Sequence, residues 1–438
     1  MKHDPSLGSA SHPGFAGLLS RASGAIDRAR GSFAKPAAPT VLGIANRLLE
    51  LGGEAPRVAL AVELIRVWQS LSSSERVEFM VAVSEGFGPE PTRLDCAISA
   101  YKNDPGSRTA AYLHAAAEPP RQELLRRLNL APDGTRELVR MRAELLEQVS
   151  KHPSLHALEA DLAHLFASWF NPGFLQLQRI DWQTSAGLLD KIIEYEAVHQ
   201  VRDWDDLRRR LEPPDRRCFA FFHPKMSDEP LIFVEVALTR GIPATIQQVL
   251  GSDRTTVAYN TAVFYSISSC QKGLRGISFG DFLIKKVVGE LRQEDPGIVR
   301  FATLSPMPGF AGWLRHRNTP DQASAEWLSL LGEEYWWRRP EVADALRKPL
   351  TRLAAEYLVI ARTDKGRPAD PVARFHLGNG ARVRRINYMA DLSERGLREA
   401  HGMMVNYEYR PNEIEHNQQQ YALSATVPTS VEVRALLR

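Results

Sequence analysis

The sequence predicts an α + α/β chain, an N-terminal all-helical domain followed by a mixed α/β domain. Between Val41 and about Trp169 apolar residues recur at spacings of three and four, the period of an amphipathic helix. After Asn171-Pro172-Gly173, β-branched and aromatic runs bounded by turn residues take over. The length of 438 residues, 44% hydrophobic and 24% charged, fits a packed chain of more than one domain. The expected divisions are a flexible tail over 1–35, a helical domain over 36–168 and an α/β domain over 169–438.

The tail is rich in Gly, Ser, Ala and Arg and lacks glutamate, as an organellar transit peptide would be, but Asp4, Pro5 and Asp27 favour a plain flexible tail. Val41, Ile44, Ala45 and Leu48 then share one helical face, with Gly52-Gly53 as the expected C-cap. Val58 to Leu71 is a second helix, and Ser72 with Glu75 has the spacing of a capping box before Val77, Met80 and Val81. Leu138, Met141, Leu145 and Val149 mark another helix, as do Leu155, Leu158, Leu162 and Leu165. In the second half, strands are expected at Phe219 to Phe222, Leu231 to Leu238, Val257 to Ile267 and Val299 to Leu304, with a helix over Phe282 to Leu291. Further strands are expected at Arg374 to Leu377, Arg382 to Ile386 and Met403 to Tyr409.

Composition excludes several partners. The 55 basic and 52 acidic residues are interleaved, and a net charge of +3 makes no basic stripe for nucleic acid. Arginine supplies 44 of the cations, which points to a GC-rich genome rather than to a ligand. No stretch approaches the ~18 apolar residues of a membrane span. Cys96, Cys218 and Cys270 are too scattered for a disulfide framework or a zinc cluster and suit a reducing, cytoplasmic setting, expected to be bacterial. His152 and His156 are four apart without a third ligand nearby, so no metal is expected.

The chemically informative segment is Gln271 to Asp281, between a strand and a helix. Its three glycines allow tight turning and close approach to a ligand, Lys272 and Arg275 add charge, and the following helix N-terminus suits a phosphate. A connection that binds nothing fits the same composition. The segment has neither the P-loop ending nor the Rossmann glycine spacing. Gly276-Ile277-Ser278-Phe279-Gly280 also matches the nucleophile elbow of α/β-hydrolases, but several residues separate it from the strand and no alternating strands and helices precede it.

The blocks Phe222-His223-Pro224, Glu229-Pro230-Leu231, Gly273-Leu274-Arg275-Gly276, Phe282-Leu283-Ile284-Lys285, Leu304-Ser305-Pro306-Met307-Pro308-Gly309-Phe310, Phe375-His376-Leu377, Asn379-Gly380-Ala381 and Arg385-Ile386-Asn387 with Met389-Ala390-Asp391 resemble the malonyl-CoA decarboxylase family. They occur in the family's order from about Trp169 to Tyr409, while the helical part is similar in kind and size more than in motif. The resemblance implies a catalytic domain of the acetyltransferase (GNAT) superfamily fold that converts malonyl-CoA to acetyl-CoA and carbon dioxide. No cofactor is implied, because CoA is part of the substrate. It assigns the CoA-phosphate segment to Arg275, Gly276, Ile277, Ser278, Phe279, Gly280 and Asp281, with Ser278 a departure from the superfamily's glycine-rich pattern.

On the residues alone, Ser305 is a turn residue ahead of Pro306 and Pro308, and His376, between Phe375 and Leu377, is a satisfied core histidine. The resemblance instead makes Ser305 the proton acceptor that holds the malonyl group and His376 the proton donor, with Tyr409 supporting the histidine. His223 is read as structural. Homo-oligomerisation through the helical domain is implied by the resemblance only. Two other readings share the CoA segment: a GNAT-fold N-acyltransferase, for which no amine site is identifiable, and a non-catalytic acyl-CoA-binding regulatory module.

Overall fold

The computed structural model describes residues 40–251, 258–277, 280–317, 327 and 329–438, so the tail expected over 1–35 lies outside the described residues. The chain divides into two compact units: residues up to Trp169 together with Lys272–Ile277, and Phe170–Gln271 together with Ser278–Arg438.

The first unit is helical: α1 (Val41–Glu50), α2 (Glu54–Ser70), α3 (Ser73–Gly86), α4 (Pro91–Asn103), α5 (Ser107–Ala117), α6 (Pro120–Leu128), α7 (Gly134–Gln148) and α8 (Leu155–Trp169). Thr40 caps α1 by accepting from Gly43 N, and the apolar stripe Ile44, Ala45 and Leu48 is fully buried. Gly52-Gly53 does not cap this helix: α1 ends at an extended Leu51, and Gly53 is instead the N-cap of α2. The capping box is present. Ser72 N donates to Glu75 Oε2 at 2.8 Å and Glu75 N donates to Ser72 Oγ at 3.4 Å. The buried stripe of α3 is Phe79, Met80 and Val83, so Val77 and Val81 flank the core rather than fill it. Buried Arg121 pairs with Asp161, whose other oxygen accepts from Gln122 Nε2 at 2.6 Å, tying α6 to α8.

The residues Lys272–Ile277 are held in this unit by Arg142 on α7. Its Nη1 donates to the carbonyls of Gly273 (2.5 Å) and Arg275 (3.0 Å), while Nη2 donates to Glu159 Oε1 at 2.7 Å. Gly273 lies so close to α7 that a Cβ there would stand 1.9 Å from the Val139 carbonyl oxygen. No side chain fits without moving the backbone.

The second unit is a mixed sheet with helices: β1 (Gln176–Ile180), α9 (Ala186–Tyr195), α10 (Trp204–Leu211), β2 (Arg216–His223), β3 (Met226–Thr239), α11 (Ile246–Leu250), β4 (Thr261–Ser269), α12 (Gly280–Glu294), β5 (Arg300–Thr303), β6 (Ser305–Pro306), α13 (Phe310–His316), α14 (Pro340–Val359), α15 (Pro371–Gly378), β7 (Arg382–Asn387), α16 (Glu394–Ala400), β8 (Met404–Tyr409), α17 (Ile414–Ser424) and α18 (Val431–Ala435). Among the described residues the sheet runs β1-β2-β3-β4-β5-β8-β6, with β7 also on β8. β4 and β5 are parallel and every other pair is antiparallel. The parallel pairing stops at Phe264 and Thr303, and there β4 carries a bulge: Glu235 faces Ser266 while Val236 faces Phe264, leaving Tyr265 extra. Beyond it, β4 continues on β3 alone. This is the GNAT-like sheet, and among the described residues no helix is long and apolar enough to cross a membrane.

The segment Arg374 to Leu377, expected as a strand, is part of α15. Asp370 caps that helix by accepting from Ala373 N at 2.7 Å, and Pro371 takes the first helical position, where its missing N–H costs nothing. The strand expected from Val257 begins at Thr261 among the described residues.

Gly273→Ala is expected to lower thermal stability by about 1–3 kcal/mol, the usual range for overpacking. Gly289→Ala, in an open helical position of α12, is expected to raise it slightly. Thermal unfolding of both variants checks this, and an unchanged Gly273→Ala melting temperature would contradict the close approach.

Candidate active site

Three elements of the second unit bring Ser305, His376 and Tyr409 together. Ser305 opens β6, two residues after β5 ends at Thr303, and its side chain lies on the same side as that of Thr303 because strand residues two apart share a face. His376 sits in the last turn of α15. Tyr409 ends β8, and Tyr407 shares its face.

Ser305 Oγ and His376 Nε2 are 3.1 Å apart, and His376 Nδ1 is 2.7 Å from the Tyr409 hydroxyl. Ser305 Oγ also donates to Thr303 Oγ1 at 2.8 Å. The imidazole stacks on Tyr407 with ring centroids 4.5 Å apart and meets Phe375 edge-on. Ser305 is 5% exposed, His376 3%, Tyr409 1% and Thr303 0%, so the array is dry on every side that protein covers.

Burial sets the protonation states. The His376 pKa is pushed down to about 3, with desolvation as the cause and no charged neighbour contributing, so the ring is neutral at pH 7. Burial likewise moves the Tyr409 and Tyr407 hydroxyls upward, keeping both protonated. The result is a chain of uncharged donors and acceptors that holds a single imidazole proton.

In the expected CoA segment, Arg275, Gly276 and Ile277 are described. Ser278 and Phe279 lie outside the described residues, and Gly280 and Asp281 open α12. The backbone turns left-handed at Gly276, φ +82°, a conformation that favours glycine. The amides of Arg275 and Ile277 donate to Lys272 O and Leu274 O, so neither is open to a phosphate. Gly276 N–H has no acceptor among the described residues, and the Arg275 side chain is exposed.

His223 is buried, packs on Phe170 at 4.9 Å and accepts from Lys225 N at its Nδ1, as a structural histidine does. Among the described residues no group of three or more His, Cys, Asp or Glu is placed to hold a metal. Thr303 and Tyr407 were missed by sequence reasoning. The signal for both is the two-residue step: Thr303 precedes Ser305 by two, and Tyr407 precedes Tyr409 by two, so each pair shares a strand face.

The family model described as malonyl-CoA decarboxylase C-terminal domain matches residues 173–438, and the model described as malonyl-CoA decarboxylase N-terminal domain matches residues 87–170. The chain is 34% identical over 427 residues to the mitochondrial malonyl-CoA decarboxylase of Rattus norvegicus, covering 87% of this chain and 86% of that one. Two solved malonyl-CoA decarboxylase structures are similar throughout. That from Agrobacterium vitis is 50% identical with a TM-score of 0.87, covering 91% of this chain and 99% of that one. That from Rhodopseudomonas palustris is 48% identical with a TM-score of 0.86, covering 91% and 100%. With family models matched over 87–170 and 173–438 and each of these relatives covered over 86% or more of its length, the chain belongs to the malonyl-CoA decarboxylase family.

Proposed function

We propose that Ser305 and His376 carry the chemistry of this chain, with Tyr409 holding the far side of the imidazole and the Arg275-to-Asp281 segment receiving the CoA phosphates. The reaction is the decarboxylation of malonyl-CoA to acetyl-CoA and carbon dioxide. The observation that carries the site assignment is the buried, uncharged contact of Ser305 with His376 and of His376 with Tyr409.

The chemistry asks little of the protein. The bond between the malonyl α-carbon and its carboxylate breaks, and its electron pair moves into the thioester carbonyl to give an enolate. One proton then adds to the α-carbon. The thioester is itself the electron sink, so the protein needs to hold the malonyl group, favour the enolate and deliver that proton. Ser305 stands beside the malonyl group in the proton-acceptor role and His376 is the donor. A thioester enolate is a strong enough carbon base to take a proton from a neutral imidazole, so a histidine kept uncharged by burial remains a competent acid, as neutral imidazoles are elsewhere. A dry site also disfavours the malonyl carboxylate relative to neutral carbon dioxide.

The same reading includes association of copies through the helical unit, where Tyr101 on α4 and Tyr112 on α5 are exposed. It places the protein in a bacterial cytoplasm, in keeping with three free thiols.

Purified protein given malonyl-CoA without an amine is expected to form acetyl-CoA and carbon dioxide in equal amounts, and Ser305→Ala and His376→Asn are each expected to lower kcat by about 10²-fold or more with CoA binding retained. Near-wild-type turnover in either variant would remove that residue from the mechanism. Light scattering is expected to give a multiple of 49.0 kDa that falls on Tyr101→Glu with Tyr112→Glu; a wild-type monomer would refute association.

Acid stability supplies a separate check. In the unfolded chain His376 protonates near 6.5, whereas in the folded one it stays neutral down to about 3. Between those values the unfolded state binds the extra proton, so stability falls as pH falls. His199 and His401, held near 4 mainly by burial, act the same way, while the buried carboxyls of Asp370 (about 6) and Glu235 (about 8) act oppositely. The difference between two proteins isolates His376: the melting temperature is expected to drop less from pH 7 to pH 5 in His376→Asn than in wild type. Parallel curves would show that the imidazole is not held neutral.

A further inference from the structure

We propose that Thr303 is a positioning residue that decides which nitrogen of His376 carries the proton. The inference rests on the Ser305–His376 reading and extends it by one residue.

Ser305 Oγ has one hydrogen and two neighbours, Thr303 Oγ1 at 2.8 Å and His376 Nε2 at 3.1 Å. The shorter contact is oriented with Ser305 as donor and Thr303 as acceptor. Thr303 Oγ1 is itself fixed, because it also accepts the backbone N–H of Tyr407 at 3.1 Å and because a β-branched side chain has little freedom about χ1. The Thr303 carbonyl accepts from Asn406 Nδ2 at 2.8 Å, and Asn406 Oδ1 in turn accepts from Asn387 Nδ2 (2.8 Å) and Arg385 Nε (3.1 Å). Thr303 is therefore a rigid, fully buried acceptor.

With its hydrogen committed to Thr303, Ser305 can only accept from His376. The imidazole must then carry its hydrogen on Nε2. Nδ1 is left with its lone pair, which the Tyr409 hydroxyl satisfies by donating across 2.7 Å. The four groups line up in one direction, from Tyr409 through His376 and Ser305 to Thr303, and the single imidazole proton faces the serine rather than the tyrosine. Burial keeps the ring from taking a second proton, so the choice of nitrogen decides whether the donor is armed.

Without the Thr303 hydroxyl, Ser305 turns its hydrogen to Nε2. The ring then holds its proton on Nδ1, donates to the Tyr409 oxygen, and has none to give on the serine side. A merely structural role for Thr303, joining β5 to β8, would not move the tautomer.

The test is 15N NMR of the full chain labelled at histidine, with His376→Asn to assign the ring signals, together with steady-state kinetics. Wild type is expected to show the Nε2–H form of His376 and Thr303→Val the Nδ1–H form, with kcat reduced by about tenfold or more and KM changed less than about twofold. Thr303→Ser, which keeps the hydroxyl, is expected to match wild type in tautomer and to within about threefold in kcat. An Nδ1–H ring in wild type overturns the proposal by itself, whether or not Thr303→Val folds. An Nε2–H ring and full kcat in Thr303→Val overturn it as well. If Ser305→Ala and His376→Asn are inactive while Thr303→Val is normal, only the role of Thr303 falls; if those two variants are fully active, the Ser305–His376 reading falls first.

Discussion

A buried imidazole without a charged neighbour must find a neutral partner for each ring nitrogen, and the second unit is arranged around that requirement. An unmet buried polar atom costs about 1–3 kcal/mol, a sizeable part of a domain's net stability. His376 meets the requirement with residues from two other elements: Ser305 of β6 on Nε2 and Tyr409 of β8 on Nδ1. The rings of Tyr407 and Phe375 exclude water from its sides. Moving any one of β6, α15 or β8 by a residue would leave a nitrogen unpaired.

The sheet bears the mark of this arrangement. β8 pairs with β5 at Phe301 and Ala302, and next with β6 at Ser305, so the ladder breaks at Thr303 and Leu304. In a regular sheet that break would leave main-chain groups of both strands unpaired in the core. Here side chains fill in. The Tyr407 amide goes to the Thr303 hydroxyl, and the Thr303 carbonyl takes the Asn406 amide. The break that parts β5 from β6 is therefore also where Ser305 comes within hydrogen-bond distance of the histidine.

Sequence periodicity revealed the parts of this molecule whose cause is local. The helices α1, α7 and α8 bury faces that repeat every 3.6 residues, and β2 and β3 are buried almost throughout and so show as apolar runs, both of which a reader of the chain can count. The capping box at Ser72 is equally local. The His376 helix was misread because Phe375 and Leu377 alternate with polar neighbours over a span too short to distinguish the two periods, while its start signal, Asp370-Pro371, lies upstream. The grip of Arg142 on Gly273 spans 131 residues and has no local signature. Ser305, His376 and Tyr409 were named through family motifs; their meeting at hydrogen-bond distance was not visible in spacing, and Thr303, whose part is one lone pair, left no motif to notice.

The small net charge of +3 is compatible with a polyanionic substrate because the polarity of the Arg275 segment is set by pairing rather than by charge count. A backbone segment normally offers an approaching phosphate as many repelling carbonyls as attracting amides. Arg142 takes the carbonyls of both Gly273 and Arg275. The Arg275 and Ile277 amides are closed within the segment, which removes them as donors but also takes up the carbonyls of Lys272 and Leu274. Among the described residues, the donors left open between Gly273 and Gly276 include the Gly276 amide at its left-handed turn and the exposed Arg275 guanidinium, against the Gly276 carbonyl as acceptor. In the proposed CoA role that imbalance works locally, over distances shorter than the ~8 Å at which salt screens charges elsewhere on the surface, so the overall charge says nothing about it.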